Sequence, residues 1–345
     1  MLSQGPTAEV TIMKTKILGR TGLEVPIVGL GAAFIGIPTA NQAAEEYPED
    51  PNNLRGDEFL TSYMEEDLGV QTIHAAIEAG STLIDTAPLY GGTRSETTIG
   101  LALKTRPDLA ARSTVTTKVG QITMDAKDFS FDAILRDVEA SQKRLGIEQF
   151  EVLYIHDPMD APMEQVMGQH GALGALRKLQ KEGIVQYVGA AANEPETNAP
   201  YIETGEFDAA ILPEAWSLLN QLAAERILPA AERHNVGLVV ATPLERGLLA
   251  TGPVADINYL ARNFSQRCLD HVSKIQTLCR DYSIPMVAAS LQWCTRHPQV
   301  AATIPGARTP EEAAENARAG TVEIPEAFWA DLAPLVRHFE LGVDR

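Results

Sequence analysis

Basic residues are scarce in this chain: 28 Lys and Arg stand against 46 Asp and Glu, giving a formal net charge of −18. Binding to nucleic acid or to an anionic membrane relies on basic patches that neutralise phosphates, so neither is expected here. Cysteine is scarcer still. Cys268, Cys279 and Cys294 show no CxxC spacing and are too few for a disulfide framework, so they are expected as helix-borne core thiols of a protein in a reducing cytoplasm. No stretch approaches the roughly 20 apolar residues that span a bilayer. Residues 1–13 lack the charged start and apolar run of a secretory signal, and are expected as a flexible lead-in.

Several motifs are also missing. His74, His170, His234, His271, His297 and His338 show neither HxH nor HExxH spacing, so no metal site is expected and helix surface is their default place. There is no Gly-x-Ser-x-Gly elbow, which removes the usual hydrolase arrangement. The P-loop is absent. So is the Rossmann fingerprint: Gly29-Leu30-Gly31-Ala32-Ala33-Phe34 has Phe34 where a third small residue belongs.

What is present is alternation. Short apolar runs near 26–31, 82–85, 114–118, 152–156, 186–190, 209–212, 237–241 and 301–304 read as strands, after a hairpin over about 14–25. Helix-like stretches separate them, and three end at a glycine: Val70 to Ala79 before Gly80, Phe131 to Leu145 before Gly146, Leu173 to Lys181 before Gly183. Glycine just past a helix supplies the left-handed cap that other residues resist. Repeated strand and helix units over 345 residues, with 45% apolar content, suit one α/β barrel domain without a second. Two stretches break the rhythm. Residues 38–66 are rich in Asp and Glu and form an insertion after the first strand, read as a solvated acidic loop, with a lid or a subunit contact as the alternative. Residues 245–268 form a long connection after the seventh strand.

In a parallel barrel the carboxyl ends of the strands share one face. Asp85 ends one run and Tyr90 follows it, Lys118 ends Thr116-Thr117-Lys118, and His156 ends Tyr154-Ile155-His156. Brought together, these four make proton-transfer machinery. The ammonium would make the phenolate accessible, the carboxylate would anchor the ammonium, and the imidazole would orient a substrate oxygen. Taken singly, each has a duller reading: a turn-capping aspartate, a solvated lysine, a structural histidine.

These residues resemble the catalytic tetrad of the aldo-keto reductase superfamily. The likeness runs from about Lys16 to about Asp331. It includes Leu18-Gly19-Arg20-Thr21-Gly22, Arg94-Ser95-Glu96-Thr97-Thr98-Ile99-Gly100 and Ile304-Pro305-Gly306-Ala307-Arg308-Thr309-Pro310 leading to Glu315-Asn316. Asp85-Thr86-Ala87-Pro88-Leu89-Tyr90-Gly91 and the tail Ile324-Pro325-Glu326-Ala327-Phe328-Trp329 look like the branch that oxidises aldoses and pyridoxal. The resemblance implies a (β/α)8 TIM barrel with an N-terminal β-hairpin, and hydride transfer between a nicotinamide cofactor and a carbonyl or hydroxyl carbon of a small molecule. It implies cofactor contacts at Asn193, Trp216, Thr242, Leu244, Gly247, Gly306, Arg308, Glu312, Glu315 and Asn316.

The family's Ser-Asn pair after the fifth strand is reduced here to Asn193, behind Ala191-Ala192. Positions where many NADP-dependent members carry a lysine, a serine and an arginine read Gly306, Ala307 and Glu312, so NAD is expected over NADP, with Arg308 as the complication. Phe34, Leu89, Met124, Met159 and Trp216 are expected on the substrate side, and their mixed apolar character names no sugar. The resulting expectation is an aldose dehydrogenase forming a lactone. A reductase of aldehydes or ketones, a pyridoxal dehydrogenase, and a regulatory or binding subunit on the same fold stand as alternatives.

Overall fold

The computed structural model describes residues 12–35, 66–123, 126–159, 161–255, 257, 259–260 and 262–340. Apart from Ile12, Met13 and the backbone of Glu66, the expected flexible lead-in 1–13 and the acidic insertion 38–66 lie outside the described residues, as does Met124.

Two strands, β1 (Thr15–Ile17) and β2 (Glu24–Pro26), form the antiparallel N-terminal hairpin. Eight further strands form a parallel sheet in sequence order: β3 (Leu30–Gly31), β4 (Leu83–Asp85), β5 (Thr114–Val119), β6 (Phe150–His156), β7 (Val185–Ala191), β8 (Ala209–Leu212), β9 (Gly237–Ala241) and β10 (Val300–Ile304). The first and last meet through bridges Val28 to Thr303 and Gly31 to Gly306, and Gly29 N–H donates to the Thr303 carbonyl at 2.8 Å. These contacts close the sheet into a (β/α)8 barrel. The first strand is shorter than the expected 26–31, because residues 27–29 pair with β10 across the seam rather than with β4.

The helices fall where the glycine stops placed them: Glu66–Glu78, Phe131–Leu145 and Ala172–Lys181. Gly80, Gly146 and Gly183 all have positive φ, the backbone region a side chain resists. The Phe131–Leu145 helix buries Ile134, Val138, Ser141 and Leu145 at spacings of three and four residues, the stripe that seats a helix on the barrel wall.

Strand alternation fills the barrel interior. Tyr154, Val152, Leu83, Ala209, Ile211, Val239, Ala302 and Ile304 form one buried cluster inside it. Gly189 stands opposite Tyr154 in register, and a Cβ there would lie 2.2 Å from the Tyr154 ring, so the glycine makes room for the phenol inside the barrel. The hairpin closes the amino end: Leu18 and Val25 join the interior cluster, and a Cβ on Gly19 would collide with the Gly237 backbone. Lys16 completes that closure, donating to the carbonyls of Thr295, His297 and Val300 at 2.9, 2.9 and 2.7 Å. With the amino end plugged, the carboxyl ends of the strands are the open face.

Cys268, Cys279 and Cys294 are buried on the helices Gln266–Asp281 and Met286–Thr295, as expected. His271 departs from the surface expectation. It is buried, with its Nε2 2.7 Å from the Leu335 carbonyl, because the C-terminal segment folds over that helix face. Among the described residues no cluster of metal-ligating side chains occurs, and no helix is long and apolar enough to cross a membrane.

Candidate active site

Register explains the convergence of the polar group. Asp85, the last residue of β4, lies opposite Thr116 of β5, and Thr116 and Lys118 share one face of that strand because side chains alternate. Both reach the same carboxylate. Thr116 Oγ1 donates to Asp85 Oδ1 at 2.9 Å, and Lys118 Nζ donates to Asp85 Oδ2 at 2.6 Å. Lys118 Nζ also donates to the Thr86 carbonyl at 2.8 Å and to Tyr90 Oη at 3.1 Å, so its three hydrogens are all used.

Tyr90 rides on the turn after β4. Gly91 and Gly92 (φ 57° each) and Thr93 (φ 75°) bend the chain back into the helix Arg94–Thr105. Ser95 staples this turn to the first strand, its Oγ 2.8 Å from Thr86 Oγ1 and donating to the Ala32 carbonyl at 2.9 Å. His156 ends β6 with its ring edge-on to Tyr90, the centroids 5.9 Å apart and the planes at 89°. The structure therefore brings all four residues together at the open end of the barrel.

Burial governs their protonation. It opposes the charged form of Lys118, but the Asp85 carboxylate and Tyr90 outweigh it and hold the ammonium above its ordinary pKa. Burial pushes the Asp85 carboxyl up, against the pull of Lys118 and Thr116. We place the proton on Lys118, because the carboxylate accepts two hydrogen bonds. Burial also pushes the Tyr90 phenol above its ordinary value, and Lys118 only partly offsets this. Desolvation, which strand order does not reveal, outweighs the cation, so the phenol is protonated at neutral pH. Its oxygen already accepts from Lys118, and it donates to no acceptor among the described residues. Burial, reinforced by Lys118 and Lys127, holds His156 neutral, well below the ordinary histidine range, and its Nδ1 is buried without a hydrogen-bond partner among the described residues.

The other expected residues divide. Thr309 caps the helix Pro310–Ala319, accepting from Glu312 N at 3.3 Å, while the Glu312 carboxylate accepts from Arg308 N at 2.8 Å. Asn316 Nδ2 donates to the Gly306 carbonyl at 3.1 Å, and Glu315 is exposed on the same helix. Phe34, expected on the substrate side, instead packs on this loop. The Arg308 guanidinium sits 4.6 Å from its ring centroid, and a Cβ on Gly306 would strike that ring at 2.6 Å. The reason is the barrel seam, which sets the end of β3 beside the end of β10.

Thr242 Oγ1 accepts from Glu214 N at 2.7 Å, and the Leu244 carbonyl accepts from Gly247 N at 3.0 Å, so both shape the long loop after β9. That loop is stapled by charges the sequence reading passed over: Arg246 Nε and Nη2 donate to Glu214 at 3.1 and 3.0 Å, Arg262 pairs with Glu214, and Arg262 Nη1 lies 2.8 Å from Glu245. Leu89 is half-buried beside Tyr90, and the Met159 carbonyl faces Lys127 Nζ at 3.5 Å. Trp216 packs toward the helices: its ring stacks on Trp293 at 4.8 Å and its Nε1 donates to the Cys294 carbonyl at 3.2 Å. Asn193 is exposed at the rim. Its backbone N–H and Nδ2 donate to Asp157 at 2.8 and 3.2 Å, and Asp157 is a residue that the sequence reading missed.

A barrel with a carboxylate, an ammonium, a phenol and an imidazole gathered at its strand ends is an enzyme architecture built for moving protons beside a bound small molecule. The chain belongs to the aldo/keto reductase family, whose model matches residues 53–337, and is an oxidoreductase. It is 27% identical over 336 residues to a D-threo-aldose 1-dehydrogenase of Pseudomonas sp, covering 90% of this chain and 94% of that one. It is 25% identical over 355 residues to a pyridoxal 4-dehydrogenase of Microbacterium luteolum, covering 92% and 96%. Its fold matches the holo form of an aldo-keto reductase from Bacillus halodurans with a TM-score of 0.73 at 21% identity, over 95% of this chain and 98% of that one. Members of this family use nicotinamide cofactors.

Proposed function

We propose that the protein is an NAD-dependent dehydrogenase that oxidises an aldose or a similar cyclic hydroxyl compound to a lactone, with Tyr90 as the general acid and base. The observation that carries this is the Asp85, Lys118 and Tyr90 chain, with donor to acceptor distances of 2.6 and 3.1 Å, ending on a phenol that donates to no acceptor among the described residues. The residues present fit a nicotinamide dinucleotide. Asn193 has an Oδ1 without a protein partner among the described residues, and the Thr309-capped helix start supplies backbone donors of the kind that bind phosphates. A bound nicotinamide would supply the acceptor for the hydride leaving the substrate carbon. Tyr90 takes the proton of the substrate hydroxyl, Lys118 stabilises the phenolate that precedes this step, and Asp85 keeps Lys118 in place. Neutral His156 holds the reacting oxygen by a hydrogen bond.

One observation supports a second reading. The phenol protonated at neutral pH is already a proton donor, which suits reduction of an aldehyde or ketone. A panel of aldoses, pyridoxal and simple aldehydes, run in both directions and followed by absorbance of the reduced cofactor, decides between the two. Turnover of aldoses with lactone as product supports the dehydrogenase, and turnover of aldehydes alone replaces it. No nicotinamide-linked turnover of any substrate would leave the regulatory subunit as the better reading.

The preference for NAD rests on Glu312. Its carboxylate stands at the start of the Pro310–Ala319 helix, where it would repel a 2′-phosphate and accept from a 2′-hydroxyl. Arg308, the residue able to recover a phosphate contact, lies against Phe34. Wild-type kcat/KM is expected to favour NAD by at least about tenfold, and Glu312→Arg to move the ratio toward NADP by about tenfold, the effect of roughly 1.4 kcal/mol. A wild-type preference for NADP would reject the assignment.

A further inference from the structure

Asp157 follows His156 directly, in the left-handed region with φ 44°. Its N–H donates to the Ala191 carbonyl at 2.7 Å, carrying the ladder between β6 and β7 one residue beyond the His156 and Ala191 pair. The left-handed turn is a conformation that aspartate tolerates better than most residues. The carboxylate is buried, and no cation lies within ion-pair distance among the described residues. Both of its oxygens instead serve one residue. Oδ1 accepts from Asn193 N at 2.8 Å and Oδ2 accepts from Asn193 Nδ2 at 3.2 Å.

Leaving a carboxylate in a buried place without a cation is unfavourable, so two hydrogen bonds spent on one exposed asparagine need a purpose. The geometry shows what they accomplish. Asn193 has its backbone and its amide nitrogen fixed, so the side-chain amide is held in one orientation, and Oδ1 has no partner among the described residues. An amide held in this way is a preorganised acceptor, and its rotamer entropy has been surrendered before any ligand arrives. The chain has Ala191 and Ala192 ahead of Asn193, neither with a polar side chain, so this one acceptor has no polar neighbour to help it.

We propose that Asp157 is a positioning residue that locks the Asn193 amide with its carbonyl outward, to accept a hydrogen bond from the carboxamide N–H of the nicotinamide ring. This rests on the reading of the site as a nicotinamide-dependent dehydrogenase. It places recognition of the ring's amide on a two-residue clamp that spans the ends of β6 and β7, next to the imidazole that faces the substrate.

The clamp has a second consequence. The Asp157 carboxylate is near enough to raise the Tyr90 phenol through its field, so removing the charge lowers the pKa at which Tyr90 ionises.

Binding of the reduced dinucleotide, read by its fluorescence, and of ADP-ribose, which lacks the nicotinamide, separates the possibilities. Asp157→Ala is expected to weaken reduced dinucleotide about tenfold and leave ADP-ribose unchanged. Asn193→Ala is expected to do the same, and the double variant to be no worse than either single one, because the two residues act as a unit. Asp157→Asn retains the shape and one acceptor, and is expected to fall between wild type and Asp157→Ala. In Asp157→Asn the Tyr90 limb of the pH profile moves to lower pH. The proposal is overturned if both ligands weaken equally, if the two single effects add, or if Asp157→Ala binds the reduced dinucleotide like wild type. Failure of the wild-type protein to bind either ligand would overturn the dehydrogenase reading itself.

Discussion

Tyr90→Phe is expected to lower kcat/KM by about 10³-fold to 10⁴-fold while leaving cofactor affinity within about twofold of wild type, the upper part of the range for a proton-transfer residue. The substitution keeps the ring, and with it the edge contact to His156 and the position of the ammonium 4.6 Å from the ring centroid. Only the hydroxyl is lost. Stopped-flow turnover together with fluorescence titration of the cofactor checks this, and unchanged turnover would remove Tyr90 from the mechanism. The pH dependence follows from burial. Because the phenol sits above its ordinary pKa, oxidation accelerates as pH rises toward that raised value, and reduction slows through the same limb. Histidine adds no limb near pH 6.5, since His156 stays neutral until far more acid conditions. A fall in rate near pH 6 that vanishes in a His156 variant would show that this imidazole does charge.

The second large effect is on stability as well as rate. Lys118→Met is expected to reduce turnover by about 10²-fold or more and to destabilise the fold by about 3–5 kcal/mol, because Asp85 is left as a buried carboxylate without its cation. Protonation relieves part of the loss. In the variant the folded-state pKa of Asp85 rises above its unfolded value of about 3.9, so stability is fully present below that value and is lost as pH rises through the folded pKa. The deficit against wild type is therefore smallest in acid and grows toward neutral pH. Adding Asp85→Asn to Lys118→Met is expected to recover most of the stability and none of the turnover. Urea unfolding at pH 4 and pH 7 measures both variants, and a pH-independent deficit would show that Asp85 is not the stranded charge.

The barrel was largely legible because its signals are local. Short apolar runs separated by glycine-capped helices placed β4 to β10 to within about two residues, and their position at strand carboxyl ends put Asp85, Lys118 and His156 on one face of a parallel barrel. What the chain did after a strand ended was not legible. Trp216 and Phe34 both follow strand ends, and their direction depends on which neighbour comes next around the barrel: the helix carrying Trp293 and Cys294 for one, the Gly306 loop across the seam for the other. Asp157 was unremarkable in sequence because its role needs Asn193, which is distant along the chain and adjacent only through the pairing of β6 with β7. The ionisation of Tyr90 was misjudged for a related reason. A lysine nearby can be read from strand order, whereas the depth at which a phenol sits depends on everything packed around it.

The three cysteines give the protein an unplanned gauge of its own opening. Burial pushes the Cys268 and Cys279 thiols to about 11 and Cys294 higher still, so the reactive thiolate is almost absent while the barrel is closed. Thiol-alkylating reagents are therefore expected to label the folded protein slowly. Once the helices that carry these sulfurs detach, all three become ordinary nucleophiles, and the rate at which label accumulates reports how often the outer layer of helices breathes.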